Sequence, residues 1–390
     1  MSWGPLATFV PNKELPVYNW YFYKEGFAAE LVERLFEELG VRSGQTVLDP
    51  FSGSGTTLRA CAERGVAAVG FDALPVNAFA SRVKCRSYDH EVLRPAAKEL
   101  FRARFSRPDL REALPIMRSG FERHALEDVL FFRKAVAAVE PAEARELLLL
   151  ALVNAAMKAS WIWKDGGVLK VREHPVPPFR RLYERIAFRF IREAAEAPAI
   201  TADVQASEGD ARRLPLAAGS CDAVITSPPY LNNIDYTKVY AVENWFIGKP
   251  LPGVRSYVGL NRLPEETEVA GVPLPPDAVA YFQDMERVLA ELFRVLRPGG
   301  KAALVVGNAY LAGEIIESDL LLALLAERAG FRCSEVRCVA ERFALERRTE
   351  KKGVLRESIV FLEKPYGSAC APFLPAGFWL GKACDEAGGI

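Results

Sequence analysis

The segment of this sequence that most plainly carries chemistry is Ser227-Pro228-Pro229-Tyr230, entered directly from the apolar run Ala223-Val224-Ile225-Thr226. Adjacent prolines fix two φ angles and remove two N–H donors. Pro228 also turns Ser227 away from helical backbone. The product is a stiff, extended corner at a strand end, with a hydroxyl before it and an aromatic ring after it. Such rigidity suits a site that must hold a flat group with a polar edge.

A second segment, Asp49-Pro50-Phe51-Ser52-Gly53-Ser54-Gly55-Thr56-Thr57, follows an earlier apolar run. Gly53 and Gly55 permit positive φ and close approach of the backbone to a ligand, and ligands of open parallel sheets sit beyond the carboxyl ends of the strands. Taken alone, a Gly-x-Gly turn fits a dinucleotide, a phosphate or neither. The dinucleotide pattern G-x-G-x-x-G fails because Leu58 fills its last place, which argues against a nicotinamide oxidoreductase. No Gly-Lys-Ser/Thr follows to make a phosphate loop of the Walker type. Asp72 ends the next apolar run, and an acid at that place suits paired ribose hydroxyls. Asp210 ends a third run, where a carboxylate can accept a bond from an amino group. Either acid alone is as readily a helix cap or a surface charge. Three ligand-type residues at successive strand ends carry more weight.

The two segments together, in this order, resemble the S-adenosylmethionine-dependent amino-methyltransferases of DNA. The resemblance covers both halves of the sheet, about two thirds of the chain. Serine at the head of Ser-Pro-Pro-Tyr is similar to the N4-cytosine members, whereas N6-adenine members more often carry Asn or Asp there. The resemblance implies that Phe51, Gly53 and Gly55 line S-adenosylmethionine together with Asp49 and Thr56 of the same segment. It implies that Asp72 binds the ribose and Asp210 the adenine amino group. In the family the segment before the first strand closes over the methionine end. Lys24 or Glu25, in the aromatic-rich stretch Tyr18–Phe27, would serve there, although plain packing of Tyr21, Phe22 and Tyr23 explains that stretch as well. The catalytic set would be Ser227, Pro228, Pro229 and Tyr230. An exocyclic base amine is a poor nucleophile because its lone pair is delocalised into the ring. The Ser227 hydroxyl and the Pro228 carbonyl would accept its two hydrogens and draw the nitrogen towards a tetrahedral shape. Tyr230 would stack on the base. Holding the reactants in line supplies on the order of 7–11 kcal/mol of such a barrier, and no metal is required.

A target base inside a duplex has to be flipped out, at a cost of a few kcal/mol. Two basic stretches are candidates to offset it through phosphate contacts. Residues 158–192 hold nine Lys or Arg against three acids, and residues 342–356 hold six against two. Lys164, Lys170, Arg172, Arg180, Arg181, Arg347, Arg348 and Lys351 are the nucleic-acid candidates among them, with Asn232 beyond the corner. Ordinary solvated faces are an equal explanation for each stretch. Trp161 and Trp163 are expected in the core rather than on bases. Asn232, Asn233 and Asp235 read base edges or cap the next helix, and at least one is expected to cap.

The elements that must position these residues follow from periodicity. Apolar spacing marks a helix over 27–39, stopped by Gly40. Strand, glycine turn and helix follow to Gly65. A second strand then leads to a helix opened by Pro75, a residue suited to a first turn. This β-α-β-α alternation points to a parallel sheet. It stops at 88. Residues 89–200 show helical periodicity without a convincing strand, with the strongest helices at 126–139 and 143–163. A Gly- and Pro-punctuated loop occupies 163–180. Strands and helices alternate again to 364, with a long loop over 231–276, a helix stopped by Pro298-Gly299-Gly300, and two late strands joined by a basic turn near the substrate face. The expected fold is α/β, a Rossmann-like, mostly parallel methyltransferase sheet with a late antiparallel strand and a helical insertion. Residues 1–88 and 201–364 would form one discontinuous domain. Residues 89–200 would be the insertion and candidate target-recognition region, especially 165–178, and 365–390 a tail without an assigned role.

Bulk properties set limits. The chain has 390 residues, half of them hydrophobic, and its 50 Lys+Arg balance 50 Asp+Glu. A globally basic nucleic-acid coat is excluded. Seven cysteines, an odd number with no Cys-x-x-Cys, argue against a disulfide scaffold. With three histidines, none close to a cysteine pair, no zinc site is expected. The N-terminus lacks a secretory pattern, and the longest apolar run, 147–157, is too short to span a bilayer. A cytoplasmic enzyme without metal or membrane partner is expected, acting on DNA, with RNA as a possible alternative and a cognate restriction endonuclease as a possible partner. The rivals are an RNA or adenine-N6 enzyme and, from another class, a non-catalytic nucleic-acid-binding module with the same fold.

Overall fold

A computed structural model describes residues 3–231, 234–249, 258, 267–346 and 350–367. The first half of the sheet forms as its periodicity predicts. Helix α1 (Ala29–Leu39) buries Leu31 and Leu35 completely and ends on Gly40 in the left-handed region, φ 71°. Strand β1 (Thr46–Asp49) leads through the glycine turn into α2 (Thr56–Arg64), and β2 (Ala67–Asp72) leads into α3 (Pro75–Lys84), which has proline in its first turn.

Helices α4 (His90–Arg102), α5 (Pro115–Gly120), α6 (Arg123–Ala137) and α7 (Ala142–Lys158) follow. The helix expected to run to 163 stops at Lys158. In place of a loop, β3 (Ile162–Asp165) and β4 (Val168–Val171) form an antiparallel hairpin around Gly166-Gly167. Gly166 has φ 58°, as two-residue hairpin turns demand. The β-branched and aromatic residues flanking a Gly-Gly pair were the available signal. Helix α8 (Phe179–Glu196) closes this segment.

Alternation resumes with β5 (Val204–Glu208) and β6 (Cys221–Thr226). The expected loop over 231–276 contains short structure: α9 (Tyr236–Val239), α10 (Ala241–Phe246) and the small pair β7 (Glu268–Val269) and β8 (Val272–Pro273). Helix α11 (Pro276–Val295) ends before Pro298, and Pro298-Gly299-Gly300 lies within β9 (Leu296–Gly307) at an irregularity in its pairing with β6. A further hairpin, β10 (Ala309–Leu311) and β11 (Glu314–Ile316), precedes α12 (Ser318–Arg328). Two long strands, β12 (Arg332–Glu346) and β13 (Glu350–Glu363), end the described fold.

The main sheet has seven strands in the order β12-β13-β9-β6-β1-β2-β5. Pairings from β5 to β9 are parallel, and β13 is antiparallel to both neighbours. The fold is thus Rossmann-like α/β. Order reverses beside β1, so the carboxyl ends of β1 and β6 flank the crevice where such sheets bind ligands. The period of two assigns the cores. Ala223 and Ile225 of β6 pack with α1 and α2, while Val224 packs with α11 and α12. A third core is built by α4, α6, α7 and α8 and is continuous with α3, with Trp20 and Tyr21, and with α9 and α10. No helix among the described residues is long and apolar enough to cross a membrane.

Candidate active site

A cavity of about 540 Å³ runs across the carboxyl ends of β1, β2 and β6. Its wall includes Lys24, Asp49, Phe51, Gly53, Thr56, Asp72 and Asp210 at one end and the whole corner Ser227–Tyr230 at the other. The two segments singled out in the sequence are therefore brought together in one space. Gly55 stands just behind this wall, as the cap residue of α2.

The glycine turn is fixed from several sides. Gly53 and Gly55 have φ of 50° and 77°, where a side chain would be strained. A Cβ at Gly55 would stand 2.7–2.9 Å from Ser81, and one at Gly53 about 3.0 Å from the Tyr23 ring. The Gly53 amide donates to Asp72 Oδ2 at 2.8 Å. Ser81 Oγ donates to the Gly53 carbonyl at 3.1 Å, and Lys84 Nζ to the Ser54 carbonyl at 2.5 Å. Lys84 is wholly buried, and burial lowers its pKa to about 7. Sequence reading missed Ser81 and Lys84. They lie on α3, and nothing local marks a helix residue as the partner of a turn some thirty positions earlier.

Asp72 is 9% exposed. Its carboxylate accepts from Gly53, from the Leu74 amide at 2.8 Å and from Asn77 Nδ2 at 3.2 Å. Burial pushes it up to about 7 against these bonds. Asp49 is more deeply engaged. Thr226 Oγ1 donates to it at 2.6 Å, and burial raises it to about 6. Since Thr226 immediately precedes Ser227, this bond ties the base of the glycine turn to the root of the corner. Asp210 is clasped by Arg212, with a closest approach of 2.7 Å, and Arg212 is backed by Asp284 at 3.0 Å. Partial burial would raise Asp210, but the Arg212 hydrogen bonds outweigh it and hold the carboxyl below its usual value.

Lys24 is exposed on the rim, and Glu25 beside it accepts from the Tyr240 hydroxyl at 2.6 Å. Tyr21 is buried, whereas Phe22 is 48% exposed, so packing accounts for only part of this aromatic stretch. At the opposite end of the cavity the Tyr230 ring lies against Gly307, where a Cβ would stand 2.7 Å from it. The Tyr230 hydroxyl donates to Glu357 of β13. Neither Gly307 nor Glu357 was visible as a site residue in the sequence.

With this geometry in view, the relatives become informative. The DNA methylase family model, for N6 and N4 methyltransferases, matches residues 12–76. The Type II methyltransferase M.BsoBI of Geobacillus stearothermophilus is 27% identical, over 92% of this chain and 88% of that protein. The Type II methyltransferase M.AvaI of Nostoc is 25% identical, over 85% and 82%. M.MjaII of Methanocaldococcus jannaschii, also a Type II methyltransferase, is 38% identical over 24% of this chain and 18% of its own length. The chain is thus similar to DNA amino-methyltransferases, in the family model's stretch and, through the Type II relatives, along most of its length. S-adenosylmethionine is the cofactor that this similarity implies. The cavity fits that cofactor: two glycines open the backbone to a ligand, and acidic side chains stand at the ends of the neighbouring strands.

The nucleic-acid candidates separate into groups. Lys164 is not a free cation. It pairs with Glu243, which is only 3% exposed, at 2.6 Å, and lies 3.3 Å from the centre of the Tyr240 ring. Lys170 faces Asp165 across the hairpin at 2.5 Å. Arg172 and Arg181 are exposed, and Arg180 is exposed over the Phe132 ring. Lys351 is exposed over the Phe343 ring. Asn232, Arg347 and Arg348 lie outside the described residues, as does most of the 365–390 tail. Asp235 caps α9 by accepting from the Thr237 amide at 3.0 Å. Trp163, expected in the core, is 43% exposed because the hairpin turns it outward. The hairpin tip reaches the cavity wall, since a Cβ on Gly167 would lie 3.8 Å from Ile234, a lining residue. Among the described residues no cluster of His, Cys, Asp and Glu suited to a metal occurs.

Proposed function

We propose that this methyltransferase acts on the N4 amine of cytosine in DNA. The observation that carries the reading is the Ser227 hydroxyl, held at the head of the proline corner and opening into the same cavity as the glycine turn. Serine at this place is the form the sequence shares with N4-cytosine enzymes. In this reading Ser227 Oγ and the Pro228 carbonyl accept the two amine hydrogens, which localises the nitrogen lone pair. Pro229 holds the corner without further ordering, and Tyr230 bounds the space for the flipped base. S-adenosylmethionine, when bound, supplies the electrophilic methyl group. Phe51, Gly53, Gly55 and Thr56 shape its bed, Asp72 takes its ribose, Asp210 its adenine amine, and Lys24 the methionine end. Asp49 acts from behind, through Thr226.

Residues 1–88 with 201–364 form the catalytic unit in this reading, and 89–200 reads the target. Support for the second part comes from the β3–β4 hairpin, whose tip meets Ile234 at the cavity wall and whose outer surface bears Trp163 and Lys170. Arg172, Arg180 and Arg181 continue the exposed basic surface. Lys351 would meet phosphates from the β12–β13 side.

The test uses S-adenosylmethionine labelled in its methyl group, with genomic DNA, single-stranded DNA, bulk tRNA and ribosomal RNA offered in parallel. Digestion then identifies the labelled nucleoside. N4-methyldeoxycytidine is the expected product. Label in N6-methyladenine or in RNA overturns the base or the polymer assigned here.

A further inference from the structure

The corner deals with only one side of a flipped base. Ser227 Oγ and the Pro228 carbonyl accept hydrogens, so they suit an amine. A cytosine drawn out of its pair also carries two acceptors beside that amine, the ring N3 and the O2 carbonyl. Leaving a buried acceptor unmet costs about 1–3 kcal/mol. The two prolines have no N–H to offer, and the Tyr230 hydroxyl is already given to Glu357.

A donor arrives from the ribbon of β12 and β13. Their antiparallel register sets Ala340 opposite Glu357 and Arg342 opposite Leu355. The period of two puts these four side chains on one face, and all four line the cavity. Arg342 and Glu357 are diagonal neighbours on that face, a relation within reach of long side chains. Glu357 accepts from the Tyr230 hydroxyl, so the register brings Arg342 to the end of the cavity where the corner stands.

Arg342 differs from the other cations of the ribbon. Arg332, Arg337, Lys352 and Arg356 each hold a carboxylate, and Lys351 sits over the Phe343 ring. Arg342 is exposed and lines the cavity, and among the described residues it has no carboxylate within ion-pair distance and no ring beneath it. Burial raises the Glu357 pKa while the Tyr230 bond and the Arg342 charge act against the rise, yet the two side chains form no ion pair. Among the described residues the other cation in the wall is Lys24, on the N-terminal segment.

We propose that Arg342 is the specificity-determining residue of the base site, its guanidinium donating in parallel to N3 and O2 of the flipped cytosine. The assignment rests on the N4-cytosine reading. A fork of N–H donors matches two acceptors lying side by side. Adenine has N1 next to its amine but a C–H where cytosine has a carbonyl, so one arm of the fork would face no acceptor. The corner accepts hydrogens from either amine, and Arg342 tells the bases apart. A site built to make a hydrogen bond rejects an analogue lacking it far more strongly than shape alone does. A phosphate contact, by contrast, asks for a positive charge that lysine supplies as a point charge.

The test begins by mapping the methylated position in genomic DNA treated with the wild-type enzyme. Duplex oligonucleotides carrying that site are made with cytosine or 3-deazacytosine, which has C–H in place of N3, at the target. Methyl transfer is measured for wild type, Arg342→Met and Arg342→Lys. In Arg342→Met, kcat/KM on cytosine is expected to fall roughly 10–100-fold, with the dissociation constant of S-adenosylmethionine unchanged. 3-Deazacytosine should cost the wild type a similar factor and Arg342→Met little more, because both changes delete the same bond. Arg342→Lys keeps the charge without the fork, so it should keep the wild-type slope of log affinity against log salt yet lose most of the rate. Full activity in Arg342→Lys overturns the assignment. So does an Arg342→Met variant that lowers the salt slope by about one and still pays the full 3-deazacytosine penalty, which marks a phosphate contact. A mapped adenine overturns the N4-cytosine reading and this inference together. A mapped cytosine with an undiminished 3-deazacytosine penalty in Arg342→Met overturns this inference alone.

Discussion

The two ends of the cavity are built by different rules. The end we assign to the cofactor comes from one short stretch of chain, 49–57, with acids contributed by the strands beside it. Its turn is held by main-chain geometry at Gly53 and Gly55 and by side chains of the next helix. The end we assign to the base starts from one corner and nearby Ile234, but Arg342 and Glu357 reach its wall from far along the chain, and Gly307 backs the Tyr230 ring. A binding feature that many substrates of one chemistry share can be written locally. A feature that must surround one base and its neighbours is assembled from several segments.

Substitutions can break this division. The largest effect is expected at the cofactor end. Gly55→Ala places a Cβ in the left-handed region and against Ser81. The strain alone is about 1–2 kcal/mol, and the contact adds to it. Calorimetry should show S-adenosylmethionine binding weakened by roughly tenfold or more. A variant that binds normally would mean that the turn tolerates what its geometry forbids. Ser227→Ala comes next. Steady-state kinetics should show kcat reduced on the order of a hundredfold, with cofactor affinity unchanged. A parallel loss of cofactor binding would erase the distinction between the ends.

Legibility followed the same division. The strand–glycine turn–helix unit and the proline corner were readable because their conformations depend on the residues within them. The sheet was readable for the same reason, since each strand and helix has its own period. The partners were not. Ser81 and Lys84 are unremarkable helix residues until the fold sets them behind the turn, and Glu357 is one acid among many until β13 pairs with β9 beside Tyr230. Charge counting failed at Lys164 because a sequence does not display the buried Glu243 that holds it. Periodicity failed at Trp163 because the apolar helix before it concealed a two-residue turn after it.

Smaller effects sharpen the contrast. Gly307→Ala would push on the Tyr230 ring while touching nothing at the cofactor end. A fall in kcat of about tenfold with unchanged cofactor affinity is expected, and a crystal structure should show the ring displaced. Lys164→Met should lower thermal stability, by on the order of 1–3 kcal/mol for an orphaned buried acceptor, yet leave the salt dependence of DNA binding as it was. Arg172→Ala should do the reverse, reducing the slope of log affinity against log salt by about one. If both variants change the slope alike, the distinction drawn between paired and free cations is wrong.

The smallest effect concerns pH. Asp72 has its folded pKa raised to about 7. Its contribution to stability is present below the ordinary aspartate range and is lost as pH rises through about 7. Cofactor hydroxyls, by contrast, favour the ionised acceptor. Affinity for S-adenosylmethionine should therefore strengthen a few-fold between pH 6 and 8, a trend Asp72→Asn should flatten.

Glu193 of α8 accepts from Trp20 Nε1 at 2.6 Å and from the Val17 amide, and Asn154 of α7 donates to the Trp20 carbonyl at 2.9 Å. A few residues on, Tyr23, Lys24 and Glu25 form part of the cavity wall. The N-terminal strap is thus stitched to the helices at one end and borders the cavity at the other. For protein engineers, this means that residues 89–200 are not an exchangeable cassette. A chimera carrying a relative's helices would need residues 17–25 from the same donor, or the graft would unseat the wall of a site it never touches.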